Sequence, residues 1–389
     1  MSNIPRRRFL EAGSLGLGAG FLAPIATAGG SGYTPSLATD STRVRMTGDG
    51  LGLTPAEQAR LLARMAEEGR IERDSYSNGG VVEVLEEQFA RVLGKERAVF
   101  MPTGTLANHL AVRTLAGPGG GRAILQAEAH LYNDSGDCVQ TLSAIPLIPL
   151  APGSATFTLE QVKEIVERTR GGRVSRPVAV ISIETPVRRR SGETFDQAEL
   201  DRITAYAREE GIRLHLDGAR LFLQGAYTGT DVATLSRPFD TVYVSLYKYF
   251  NAASGAILAG PAALLDDMFH ARRMFGSGLP AAWPFAAVAL NFLPGFIDRF
   301  TAAVRTSESL ITELGRHDAF RIERMTGGTN LFRLRVSGVD AEAFRHRLRE
   351  QEVDLGGVRA DSSFTVGVNE TWNRATPDAL AARFRAALA

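Results

Sequence analysis

Lysine is nearly missing from this chain: among its 389 residues stand 41 arginines and only three lysines. Cysteine is reduced to Cys138 alone, which excludes any intrachain disulfide and leaves the compartment unread by a cysteine framework. Charge of one sign is absent too, with a formal net charge of +1, so nothing in the balance asks for a nucleic-acid or polyanionic partner. After the N-terminus no apolar run approaches the roughly 20 residues of a membrane-spanning helix. What is there is length and apolar content, 44%, enough for one large domain and a smaller one.

With so few lysines, each one can be weighed. Lys95 sits in the polar turn Leu93-Gly-Lys-Glu-Arg97 and Lys163 in the helical run Glu160-Gln-Val-Lys-Glu-Ile-Val-Glu167; both are expected to be solvated. Lys248 instead closes the apolar run Asp240-Thr-Val-Tyr-Val-Ser-Leu-Tyr-Lys-Tyr-Phe-Asn251, with aromatic neighbours on both sides. An ammonium in apolar surroundings tends to lose its proton, which suits a lysine that attacks a carbonyl as a Schiff-base nucleophile. The plainer reading is a lysine reaching from a strand end to water.

The N-terminus, Pro5-Arg6-Arg7-Arg8-Phe9-Leu10 followed by a weakly apolar small-residue run and Ala26-Thr-Ala28, has the form of a twin-arginine export signal over residues 1–28. Its removal would leave a soluble exported protein, periplasmic or extracellular. Residues 29–53 are rich in Ser, Thr and Gly and read as an arm, with Met46-Thr-Gly-Asp-Gly-Leu51 as a turn cluster. Thr54-Pro-Ala-Glu57 has the form of a capping box opening a helix. A second amphipathic helix is expected over 81–93, with Val81, Val84, Leu85 and Phe89 on one face and Gly94 ending it.

From there short apolar runs alternate with helical periodicity. Strands are expected at 97–101, 123–126, 178–183, 213–216, 241–246 and 256–259, and helices at 105–115, 159–168 and 197–210; residues 139–150 are apolar and ambiguous. Such alternation means an α/β domain on a mostly parallel sheet, placed at 54–284. A long helical stretch over 285–314, strands near 330–336 and 364–368, and helices at 341–350 and 377–388 suggest a smaller α+β domain at 285–389.

Ligand sites of open α/β sheets lie outside the carboxyl ends of the strands, so what each strand delivers there matters. The strand ending at Met101 runs into Pro102-Thr-Gly-Thr-Leu-Ala-Asn108, where Gly104, Thr105 and the free N–H groups of a first helical turn can cup a phosphate or merely cap the helix. Next come His130, which could stack on a planar ring, then Glu184, which could simply cap a turn, then Asp217-Gly-Ala-Arg220, then Lys248. Together they make the inventory pyridoxal phosphate needs: a Schiff-base lysine, an acid for the pyridine nitrogen, and clamps for ring and phosphate.

These same residues carry a resemblance. From about residue 43 to the end, the chain resembles the threonine aldolase/β-eliminating lyase branch of fold-type I pyridoxal-phosphate enzymes. The matching stretches are Tyr76-Ser-Asn-Gly-Gly80, Phe100-Met-Pro-Thr-Gly-Thr-Leu-Ala-Asn108, Ala129-His-Leu-Tyr132, Leu214-His-Leu-Asp-Gly-Ala-Arg-Leu221, Ser245-Leu-Tyr-Lys248, Gly276-Ser-Gly278 and Thr329-Asn330. The resemblance implies Lys248 as the lysine carrying the cofactor, Asp217 on the pyridine nitrogen, His130 stacked on the ring and active in catalysis, Gly104 and Thr105 on the phosphate, and Arg220 on the substrate carboxylate. It also implies a homodimer or homotetramer in which Tyr76 and Arg273 act across an interface, and cleavage of a β-hydroxy-α-amino acid to glycine and an aldehyde.

Departures from the family pattern bear on substrate recognition. The family's Glu-Asn-Thr-His loop is here Glu184-Thr-Pro-Val-Arg-Arg-Arg190, so a second active-site histidine is missing. Phe364 stands at the C-terminal carboxylate-binding arginine, with Arg359 as a substitute five residues earlier. Tyr249 follows the lysine where a glycine is usual, and Arg273 replaces a lysine. β-Elimination from a related amino acid, or a cofactor-binding protein with lost or altered activity, are the alternative readings.

Overall fold

Runs that are apolar at every position need cover on both faces, and parallel strands joined through helices supply it. Residues 41–171 and 173–389 are described by a computed structural model; the expected export signal and the first part of the expected arm lie outside them. The arm's described part enters as β1 (Val44–Arg45). Strands β2 (Arg97–Met101), β3 (Arg122–Gln126), β4 (Leu147–Leu150), β5 (Val178–Glu184), β6 (Arg213–Asp217), β7 (Thr241–Ser245) and β8 (Ala256–Gly260) form one seven-stranded sheet ordered β2-β8-β7-β6-β5-β3-β4. Neighbours from β4 through β7 run parallel, and β8 is antiparallel to both β7 and β2. The mostly parallel α/β sheet is therefore as the alternation implied. Every residue of β7 is buried.

Local chemistry accounts for the helix ends. Thr54 and Glu57 make a reciprocal capping box before helix Pro55–Glu67, and Gly94 closes helix Gly80–Leu93 in the left-handed region. That helix buries Val81, Val82, Leu85 and Phe89, whereas Val84, at the edge of the stripe, stays exposed. Thr103 caps helix Gly104–Ala116 by accepting from the Leu106 N–H at 3.2 Å. The ambiguous stretch 139–150 divides into helix Cys138–Ser143 and strand β4.

The long helix expected at 285–314 is two, Trp283–Phe292 and Phe296–Leu314, bent by 60°. Between them Pro294 offers no N–H and Gly295 adopts φ 67°, a conformation that glycine takes without steric cost. Side chains change core within the second helix. Phe296 and Phe300 join the large core, while Ala303, Leu310 and Leu314 pack on β9 (Phe320–Arg324), β10 (Leu331–Val336) and β12 (Ser363–Gly367), an antiparallel sheet ordered β12-β10-β9. Two-residue β11 (Val353–Asp354) pairs in parallel with β1.

The three lysines separate. Lys163 is exposed, above the Tyr206 ring. Lys95 is not solvated as expected: its ammonium donates to the Phe239 carbonyl at 2.6 Å, and burial lowers it to about 8. Lys248 is half-buried, 4.5 Å from the centre of the Tyr247 ring. Its aromatic flanks serve opposite ends. Tyr247 is 49% exposed, whereas Tyr249 and Phe250 are fully buried, meeting Phe296 at 5.0 and 5.2 Å. That anchorage fixes the backbone from which Lys248 projects.

Candidate active site

Strands β5, β6 and β7 end side by side, and the residues after them supply most of one site. Glu184 and Asp217 are register partners at the ends of β5 and β6, and Lys248 follows β7 by a three-residue turn. A cavity of about 250 Å³ lies there, lined by Asp49, His130, Glu184, Arg188, Ala219, Arg220, Tyr243, Tyr247 and Lys248. Of the residues expected at the site, His130, Arg220 and Lys248 share this wall. Asp217 lies behind it, 2% exposed, with Oδ1 accepting from the N–H of Ala219 at 3.2 Å and Oδ2 from Nδ2 of Asn108 at 2.6 Å.

Arg220 is held from a distance. Its Nε and Nη2 donate to the two carboxylate oxygens of Asp49 at 3.0 and 2.8 Å, a bidentate pair that fixes the guanidinium plane. Asp49 gets there because the arm is sewn down on both sides. Asn251 accepts from Leu51 N–H at 2.7 Å, and the Asn369 amide donates to the carbonyls of Arg45, Thr47 and Gly48.

Glu184 is buried, and its carboxyl is pushed up to about 7, first by burial and then by the charge of Asp217. Its oxygens accept the backbone N–H of His130 at 2.6 Å and of Arg188 at 2.9 Å, so one carboxyl ties two site turns together. His130 Nδ1 lies 3.4 Å from Asp134, which also draws in Arg188 and Arg189. Where the family pattern carries its second histidine, Val187 is buried and Arg188 reaches the cavity.

Gly104 and Thr105 begin helix Gly104–Ala116 next to Tyr243 of the cavity wall. A Cβ at Gly104 would run into the Tyr243 phenol, so the close approach does demand glycine. Tyr76 and Arg273 are brought together, the guanidinium 4.9 Å from the ring centre, though neither lines the cavity. Arg359 is not brought to the site. Its side chain donates to Thr365 Oγ1 at 3.3 Å and lies 3.9 Å from Asp361, on the edge of the three-stranded sheet. Phe364, beside it in β12, is fully buried in the second core, so neither supplies a cation to the cavity.

Asp49 and Glu184 were not singled out by the sequence as site residues. Glu184 had a signal, its place at a strand end, but equally fits a turn cap. Asp49 lies in a turn cluster 171 residues from its partner, and no local pattern announces such a pair.

The family model for β-eliminating lyases matches residues 55–337, most of the chain. This chain belongs to the β-eliminating lyase family. A low-specificity L-threonine aldolase of Saccharomyces cerevisiae is 30% identical over 207 residues, covering 53% of each chain, so the match spans about half the length of that curated relative. Two solved structures align over nearly their whole length. One, from Exiguobacterium, is described as a putative aromatic amino acid β-eliminating lyase/threonine aldolase; it has TM-score 0.74 and 28% identity, covering 88% of this chain and 96% of that one. The other, a putative L-allo-threonine aldolase from Listeria monocytogenes, has TM-score 0.74 and 25% identity, with 90% and 96% covered. Within this β-eliminating lyase, the motifs that carry His130, Arg220 and Lys248 meet at the cavity, and the departures at 187 and 364 are filled by buried apolar side chains.

Proposed function

We propose that this chain is a pyridoxal-phosphate-dependent lyase that cleaves the Cα–Cβ bond of a β-hydroxy-α-amino acid such as threonine, releasing glycine and an aldehyde. The observation that carries the reading is the meeting of Lys248, His130, Glu184 and Arg220 on one small cavity with Asp217 behind it, in a β-eliminating lyase with threonine-aldolase relatives.

The residues fit the cofactor. Asp217 has one oxygen committed to Asn108, while the other, which accepts from the Ala219 N–H at 3.2 Å, keeps a second lone pair for a protonated ring nitrogen. Lys248 Nζ would hold the aldehyde carbon as a Schiff base, His130 would cover the ring, and the N–H groups of Gly104 and Thr105 would take the phosphate. When bound, pyridoxal phosphate supplies an electron sink for charge developing at Cα. Arg220, its plane set by Asp49, binds the substrate carboxylate. Glu184, holding its proton up to about pH 7, accepts the β-hydroxyl proton near neutrality. Holoprotein given L-threonine or L-allo-threonine should yield glycine and acetaldehyde in equal amounts. Ammonia and a 2-oxo acid without glycine would sink this reading in favour of β-elimination.

We also infer export by the twin-arginine route, supported by Arg6-Arg7-Arg8-Phe9-Leu10 and Ala26-Thr-Ala28. Replacing Arg6 and Arg7 by lysine should leave unprocessed precursor inside the cell; unchanged processing refutes it. Assembly as a homodimer or homotetramer is supported by the exposed Tyr76 ring under Arg273, and a monomeric mass in light scattering would refute it.

A further inference from the structure

Behind Asp217 runs a buried polar chain that the proposed chemistry does not use. Asn108 Nδ2 donates to Asp217 Oδ2 at 2.6 Å, its Oδ1 meets His215 Nε2 at 2.8 Å, and His215 Nδ1 meets Thr241 Oγ1 at 2.9 Å. All four side chains are buried, none above 2% exposure. They come from three elements, helix Gly104–Ala116, β6 and β7; His215 shares a face of β6 with Asp217 and is the register partner of Thr241, and the helix brings Asn108 in to close the chain.

The chain has a direction. Burial lowers His215 to about 4, so near neutral pH the ring carries one proton. With that proton on Nε2 it donates to Asn108 Oδ1, leaving Nδ1 to accept from the Thr241 hydroxyl. The Asn108 amide is then fixed with its NH₂ toward Asp217. In the reverse sense the amide oxygen would face the carboxylate, which is repulsive unless Asp217 carries a proton.

We propose that Asn108, oriented by His215 and Thr241, is a positioning residue that holds the Asp217 carboxylate by Oδ2 and so presents Oδ1 to the ring nitrogen of pyridoxal phosphate. The Asn108 donor sits tightly on Oδ2 at 2.6 Å, whereas Oδ1 meets only the more distant Ala219 N–H at 3.2 Å, so Oδ1 is the oxygen with more capacity left for a further donor. Asn108 thereby acts on the ring nitrogen without touching it. The proposal rests on the cofactor and not on the choice of substrate, and its test needs no turnover.

The test is equilibrium affinity for pyridoxal phosphate against its 1-deaza analogue, which keeps the aldehyde and phosphate but has carbon in place of the ring nitrogen. Wild-type protein should prefer the natural cofactor. In Asn108→Ala that preference should fall roughly ten- to a hundred-fold, the range for losing a hydrogen bond to a charged group, while affinity for the analogue changes little. Thr241→Val, which removes only the far end of the chain, should shift the preference in the same direction by less, and it gives the same reading should Asn108→Ala fail to fold. Equal weakening of both ligands, with the preference intact, would make the chain a packing feature and overturn the proposal. So would a Thr241→Val protein with wild-type preference. A result of this kind leaves the threonine-cleavage reading standing, because that reading is decided by products.

Discussion

Lys248→Ala is expected to remove both the visible absorbance of the cofactor-loaded protein and its turnover, with activity falling roughly 10⁴-fold or more, as when a covalent nucleophile is deleted. Folding should survive. Lys248 is only half-buried, and the anchorage around it belongs to Tyr249 and Phe250, which stay in place. Truncating such a side chain costs within about 1 kcal/mol. Spectra of the purified variant, taken with its thermal unfolding, separate a lost site from a lost fold. A folded variant that keeps the absorbance band and turnover would remove the cofactor reading altogether.

Asp217→Asn should lower kcat by about 10²- to 10³-fold, in the range for loss of one preorganised electrostatic partner. The amide nearly matches the carboxylate in shape, but its oxygen must turn to Asn108 Nδ2. Its NH₂ then points toward Ala219, opposing a protonated ring nitrogen. A second effect follows from the coupling to Glu184. The charge of Asp217 is one of the causes that hold the Glu184 carboxyl up near 7, the larger being burial. Removing that charge favours the ionised form of Glu184, so the limb of the pH–rate profile reporting it should move to lower pH. Measuring kcat against pH for both proteins checks the two claims together. An unmoved limb would take Glu184 out of the proton transfer, and an undiminished kcat would take Asp217 out of the site.

The stability sign for Glu184 runs opposite to that of a salt-bridged acid. Its native pKa lies above the ordinary value of 4.5, so the native state binds the proton more tightly. Its contribution is full below about pH 4.5 and is lost as pH rises through about 7. His215, lowered to about 4, works against this, since its neutral native form destabilises the fold as pH drops below its ordinary value. Both groups sit where they do because the strand ends of a parallel sheet bring polar termini together in a buried place, and each accepts a shifted proton affinity in exchange for a fixed orientation.

Much of the framework was legible from residues alone. Strands β2, β5, β6 and β7 read true to within a residue or so because each is an apolar run bounded by turn residues, and the Thr54 capping box and Gly94 cap are local chemistry. The reading failed where local and tertiary preferences part. Lys95 looked like a surface turn residue, yet a carbonyl 144 residues away takes its ammonium. Arg359 looked like a substitute cation, yet it lies in the turn before β12, beside the three-stranded sheet, next to Thr365 and Asp361.

The sequence by itself determined that this chain is an α/β protein with one exceptional lysine at a strand end, near an acid, an arginine, a histidine and a glycine-opened helix. Strand propensity, turn chemistry and motif spacing act over a few residues and survive in the linear text. Only the tertiary structure decided what each of those groups faces. The Asp49 clamp on Arg220, the carboxyl of Glu184 bridging two turns, and the Asn108–His215–Thr241 chain behind Asp217 join residues far apart in sequence. Their energies come from burial and exact orientation, and neither exists until the sheet and its covering helix have closed around them.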